Sequence, residues 1–145
     1  MTFYEGLSCT MRYLSIDYGD KRTGLAVCDA GETIVTPLRV LNGQTRLVEK
    51  IVGIIESEEI NAIVLGLPLN ADGTEGPSVK RVRRFGTRLA KHIDIPLHFQ
   101  DERLSSFTAE QKLIDAQLTR KKKAGRLDAV AAAEILQTFL EGKKT

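Results

Sequence analysis

Apolar positions along the chain change period several times, and each change marks an element. Residues 12–17 and 23–29 are two apolar runs around a polar, glycine-bearing turn, which predicts a β-hairpin. "TIVTPLRVL" (33–41) is a third β-prone run, and Pro37 places it at a sheet edge or a bulge. Over 45–57, Leu47, Ile51, Ile54 and Ile55 recur at helical spacing. "NAIVLGL" (61–67) is continuously apolar, as a parallel strand buried on both faces should be. The loop "PLNADGTEGPS" then leads to a second helix over 79–92, with Val79, Val82, Phe85, Leu89 and Ile93 inward. A short strand (95–100), a third helix near 106–117 and a last helix over 127–140 complete the chain.

The predicted order is β-β-β-α-β-α-β-α-α. An antiparallel meander comes first, and two β-α units follow. Short, right-handed connections set the last two strands parallel to the first. This is an α/β layered domain. With no linker or repeat in the sequence, residues 12–141 are expected to form one domain. Residues 1–11 read as a flexible N-terminal extension and 142–145 as a C-terminal tail.

Composition narrows the class. Of 145 residues, 42% are apolar and 28% charged, a soluble globular balance. No apolar run approaches the 18 or so residues of a membrane helix, and the first ten residues lack the basic and apolar regions of a signal peptide. Cys9 and Cys28 form neither a metal-binding cluster nor a disulfide framework, so both read as reduced thiols of a cytoplasmic protein.

The chemistry is carried by acids at strand ends. In open α/β sheets, ligands bind beyond the carboxyl ends of the parallel strands. The first strand ends at Asp17 in "LSIDYGDKRTGLAV", the fourth at Gly66 before the long loop, and the fifth at Asp101-Glu102. In the last helix Asp128, Ala132, Ile135 and Phe139 share one face, so Asp128 heads an inward stripe. Converging carboxylates need a cation, and oxygen ligands suit Mg²⁺ or Mn²⁺. Two such ions roughly 3.5–4 Å apart can activate water and stabilise the leaving oxygen of a phosphodiester. The competing readings make Asp17 and Asp101 turn residues and Asp128 a helix N-terminal acid. Asp101 and Glu102 should face opposite ways. The longer reach of Glu102 favours it as the ligand, with Asp101 as the alternative.

Net charge is only +2, yet the charges are segregated. The second helix carries Lys80, Arg81, Arg83, Arg84, Arg88 and Lys91 and no acid, and residues 120–126 add Arg120, Lys121, Lys122, Lys123 and Arg126. Glu49, Glu56, Glu58 and Glu59 gather around the first helix. A basic surface of this kind suits a phosphate backbone; the alternative is a solvated, salt-bridged helix face. With no Trp and few aromatics, recognition by base stacking is disfavoured.

The strings "LSIDYGDKRTGLAV", "IVLGLPLNADGTEG", "DERLSS" and "GRLDAVAAAEILQTFL" together resemble the YqgF family, also called RuvX, from about residue 12 to 140. That resemblance implies an RNase H-like fold with a five-stranded mixed sheet. It also implies a metal-dependent nuclease of the bacterial cytoplasm, acting in 5′-end maturation of pre-16S ribosomal RNA or on branched DNA. Carried over by motif, the catalytic and metal-binding acids are Asp17, Glu102 and Asp128. Candidate substrate contacts are Lys21 and Arg22 at the hairpin, Asn70 in the long loop, Arg81 and Arg84 on the second helix, Arg103 after Glu102, and Lys122 and Arg126 in the basic loop. The expected partners are structured nucleic acid and a pre-ribosomal particle, with the protein a monomer or weak homodimer and no membrane involved. The stretch before Met11 and the very basic "LTRKKKAGRLD" depart from the family pattern.

Two other functions compete. The D-x-G at Asp17 also resembles the phosphate-loop strand of sugar kinases and actin-like ATPases. Those proteins close a second domain over the nucleotide, for which 145 residues leave no room. A non-catalytic RNA-binding module would need none of the three acids.

Overall fold

A computed structural model of the chain describes residues 11–70, 72–102 and 129–143. Five strands form one sheet: β1 (Tyr13–Asp17), β2 (Arg22–Cys28), β3 (Val35–Asn42), β4 (Ala62–Leu67) and β5 (Leu97–Asp101). Their order across the sheet is β3-β2-β1-β4-β5. β1 and β2, and β2 and β3, are antiparallel; β4 is parallel to both β1 and β5. Helices α1 (Leu47–Ser57) and α2 (Pro77–Ala90) follow β3 and β4, and residues 129–143 form a further helix, α3. The mixed sheet expected from the sequence is therefore present. The predicted helix near 106–117 and the basic loop lie outside the described residues.

Strand alternation divides the core into two layers. Leu14, Ile16, Leu25, Val27, Ile63 and Leu65 face α1 and α2, which contribute Leu47, Ile51, Val82, Phe85 and Leu89. Tyr13, Cys28, Ala62 and Val64 face α3, which contributes Ile135, Leu136 and Leu140. Every residue of β4 is buried, as its unbroken apolar run requires. β3 is an edge strand, and its pairing with β2 slips between Leu25 and Ala26, beside Pro37. Both expectations for Pro37 hold, because proline cannot donate a ladder hydrogen bond.

Several boundaries differ from the sequence reading. The second helix begins at Pro77, whose fixed φ and missing N–H suit a first helical position, and it ends at Ala90. Ile93 is therefore not part of the helical stripe; it packs on the core from the segment beyond. The last helix runs through 143, past the tail expected at 142. There Lys143 Nζ donates to Tyr13 Oη (2.7 Å) and Glu32 Oε1 (2.8 Å). Cys28 is a buried free thiol, and burial pushes its pKa up. Among the described residues no helix is long and apolar enough to cross a membrane.

Candidate active site

Asp17 is the last residue of β1, and alternation puts it on the same face as Ser15. Ser15 is fully buried, and its Oγ donates to the Ala132 carbonyl of α3 at 2.6 Å. Asp17 thus lies toward α3, at the carboxyl edge of the sheet. β4 continues alongside, with Ile16 opposite Leu65, so Gly66 is the next neighbour of Asp17. On the far side of β4, Gly66 pairs with Gln100 and Leu67 with Asp101.

Glu102 follows β5 and folds back over Gly66. A Cβ on Gly66 would stand 2.8 Å from Glu102 Oε2 and 2.6 Å from Ile135 Cδ1 of α3. The absent side chain of Gly66 is the space the carboxylate uses. Asp101, one residue earlier, falls on the opposite face by alternation. Of the two acids, Glu102 is the one gathered with Asp17.

Asp17 and Glu102 line one open cavity of about 210 Å³, with Tyr18, Gly19, Asp20, Pro68, Ser78, Arg81 and Val82. The loop after β1 is held by Gln44, whose Nε2 donates to the carbonyls of Gly19 (2.8 Å) and Asp20 (3.1 Å). Tyr18 stacks on Phe85 of α2 at 4.3 Å and donates from Oη to Gln44 Oε1. Gly19 is required here, since a Cβ would collide with the Arg22 carbonyl oxygen. The first two turns of α2 bring Ser78 and Arg81 to the same cavity, at the positive end of the helix dipole.

The sequence candidates therefore divide. Asp17, Glu102 and Arg81 are brought together. Lys21 and Arg22 are exposed just beyond the cavity loop, and Arg84 is exposed on α2 one turn past Arg81. Asn70 does not line the cavity; it braces its own loop, donating from Nδ2 to Thr74 Oγ1 (2.9 Å) while its carbonyl accepts from Gly73. Arg103, Lys122, Arg126 and Asp128 lie outside the described residues. Asp20, which the sequence leaves in a turn without a role, lines the cavity and meets Arg81 Nε at 3.7 Å. The pairing joins segments far apart in the chain, and no periodicity announces it.

Among the described residues no cluster of three or more His, Cys, Asp or Glu side chains is assembled for a metal ion. The two carboxylates that are assembled nevertheless fit a hard divalent cation. Their donors are all oxygen, as Mg²⁺ or Mn²⁺ prefers, and the Gly66 cradle holds Glu102 where a larger residue would displace it.

Comparison with known proteins shows the family and the fold. The family model described as "RuvX: Holliday junction resolvase" matches residues 11–142. A protein of Maridesulfovibrio salexigens named "Putative pre-16S rRNA nuclease" is 42% identical over 132 residues, covering 90% of this chain and 98% of its own length. A protein of the same name from Anaeromyxobacter sp. is 41% identical over 135 residues, covering 92% and 98%. Among solved structures, Thermus thermophilus RuvC in complex with a Holliday junction substrate superposes with a TM-score of 0.62 at 16% identity, covering 92% of this chain and 96% of that one. The fowlpox virus Holliday junction resolvase gives 0.53 at 12% identity, covering 92% and 99%. These last two likenesses are of fold.

Proposed function

The chain belongs to the RuvX family, and from that premise we propose that it is a metal-dependent endonuclease acting on structured nucleic acid, with the 5′ end of pre-16S rRNA as its substrate. The observation that carries this reading is the meeting of Asp17 and Glu102 in one cavity at the carboxyl edge of the sheet.

Asp17 and Glu102 would hold the divalent ions together with Asp128. The course of α3 supports the third acid. The helix runs from Ala132, bonded to Ser15, to Lys143, bonded to Tyr13, so it is antiparallel to β1. Its residue-129 end is therefore the end nearest Asp17, and Asp128 directly precedes it. Bound there, two ions would supply a lowered water pKa and charge neutralisation at the scissile phosphate.

The remaining residues bind and orient. Arg81 reaches the cavity and would hold a phosphate oxygen beside the two acids, a role its planar, always-charged guanidinium suits. Lys21, Arg22 and Arg84 extend the positive rim beyond it, with Arg103, Lys122 and Arg126 as further contacts. The nucleotide-binding reading has less support, because the relatives that are about two-fifths identical to the chain are named nucleases.

The test is incubation of precursor rRNA with the protein and Mn²⁺, beside Asp17→Asn and Glu102→Gln. Cleavage by the parent, leaving a 5′-phosphate, and its loss in both variants are expected. Equal cleavage by the variants overturns the mechanism. The family's description favours a four-way DNA junction as the second substrate, and running it in parallel separates the two.

A further inference from the structure

The exposed cations of α2 are not equivalent. Arg81, Arg84, Arg88 and Lys91 follow a 3-4-3 spacing, which places them on one stripe of the helix surface. The stripe starts at the active-site cavity, which Arg81 lines, and continues just past the helix end at Ala90. Ten residues at helical rise span about 15 Å. Arg88 is laid along this flank, its guanidinium 5.7 Å from the Phe85 ring centroid.

Arg83 lies off the stripe and is spent elsewhere. It makes a bidentate pair with Glu75, at 3.1 and 2.6 Å, and covers the Phe99 ring at 5.2 Å. The helix itself carries no acid, and the acids that meet its cations come from outside it, Glu75 for Arg83 and Asp20 for Arg81.

We infer that Arg81, Arg84, Arg88 and Lys91 form a track for one nucleic-acid strand leaving the cavity, contacting successive backbone phosphates. The inference rests on the nuclease reading and adds a footprint to it. Each of the four cations would meet one phosphate of that strand. The substrate must then extend about four nucleotides to that side of the cut. Arg83, of equal charge on the same helix, takes no part.

The experiment measures binding without catalysis. A labelled 20-base-pair RNA duplex is titrated in EDTA across a range of salt concentrations. Each lost phosphate contact lowers the slope of log K against log salt by about one. Arg88→Gln/Lys91→Gln should lower it by about two, and Arg83→Gln should leave it unchanged. Arg88→Lys/Lys91→Arg should restore the parent slope, which shows that charge rather than folding was lost. If Arg83→Gln weakens binding as much per charge as the double variant, binding is by diffuse charge and the track is overturned. If neither variant changes the slope, it is overturned as well. If the parent itself binds without salt dependence, the nucleic-acid reading fails with it.

Discussion

The carboxylate of Glu102 occupies the space a side chain on Gly66 would take. An added Cβ would meet Glu102 Oε2 at 2.8 Å and Ile135 Cδ1 at 2.6 Å. Both contacts are tighter than van der Waals packing allows, so Gly66→Ala must move one neighbour or both. Overpacking of this kind costs about 1–3 kcal/mol. Gly66→Ala should therefore lower the melting temperature and reduce cleavage far more than it reduces RNA binding. Adding Ile135→Val relieves the apolar clash alone. The double variant should regain stability without regaining activity; recovery of both would show that Glu102 had not been displaced.

Asp20 and Arg81 meet across the cavity rim at 3.7 Å, both well exposed. An exposed pair of this kind is worth roughly 0–1 kcal/mol. It still competes with a substrate phosphate for the same guanidinium, and Asp20 adds repulsion of its own. Asp20→Asn should lower KM by up to about fivefold, and Arg81→Gln should raise it. Steady-state cleavage at low salt, where exposed charges are least screened, is the measurement. A higher KM in Asp20→Asn would mean that Asp20 positions Arg81 for substrate instead of withholding it.

Much of this arrangement was legible in the sequence where the physics is local. The unbroken apolar run of β4, the edge position announced by Pro37 and the inward stripe Ala132-Ile135-Phe139 each follow from a period of two or 3.6. The same alternation set Asp101 and Glu102 on opposite faces, and the longer reach of Glu102 made it the choice between them. What the sequence hid is contact between distant segments. Asp20 meets Arg81 because the sheet brings the loop after β1 to α2, and no spacing encodes that; Glu75, in the loop that opens α2, folds back onto Arg83 outside any helical or strand period. Asn70 looked like a free polar group at the functional rim, yet its amide is used to close its own loop on Thr74. Tyr18 carries no periodic signal, yet it stacks on Phe85 and lines the cavity.

Asp29 gives the fold an acid-sensitive joint. It closes the β2–β3 connection by accepting from the Ile34 amide (2.9 Å) and from the Thr33 amide and hydroxyl (both 2.8 Å). These hydrogen bonds, that from Ile34 first, hold its pKa down to about 2. An unfolded aspartate titrates near ~3.9. The stabilisation is therefore complete above that value and is lost as pH falls toward 2. Asp29→Asn should be less stable than the parent at pH 7, and the gap should close between about pH 4 and 2. Urea midpoints across that range are the check, and a gap independent of pH would assign the loss to geometry instead.

Asp17 and Glu102 place two carboxylates in one cavity, where both could serve a bound cation. With Mn²⁺ at one hundred times its Kd, linkage adds about 2.7 kcal/mol to the parent. For a chain of this length that raises Tm by roughly 6–10 °C. In Asp17→Asn the shift should largely vanish. Glu102→Gln should behave likewise, whereas Asp101→Asn, on the other face of β5, should keep the parent's shift. An equal metal-induced shift in Asp17→Asn and the parent would place the cation elsewhere and remove the reason for an acid at the end of β1.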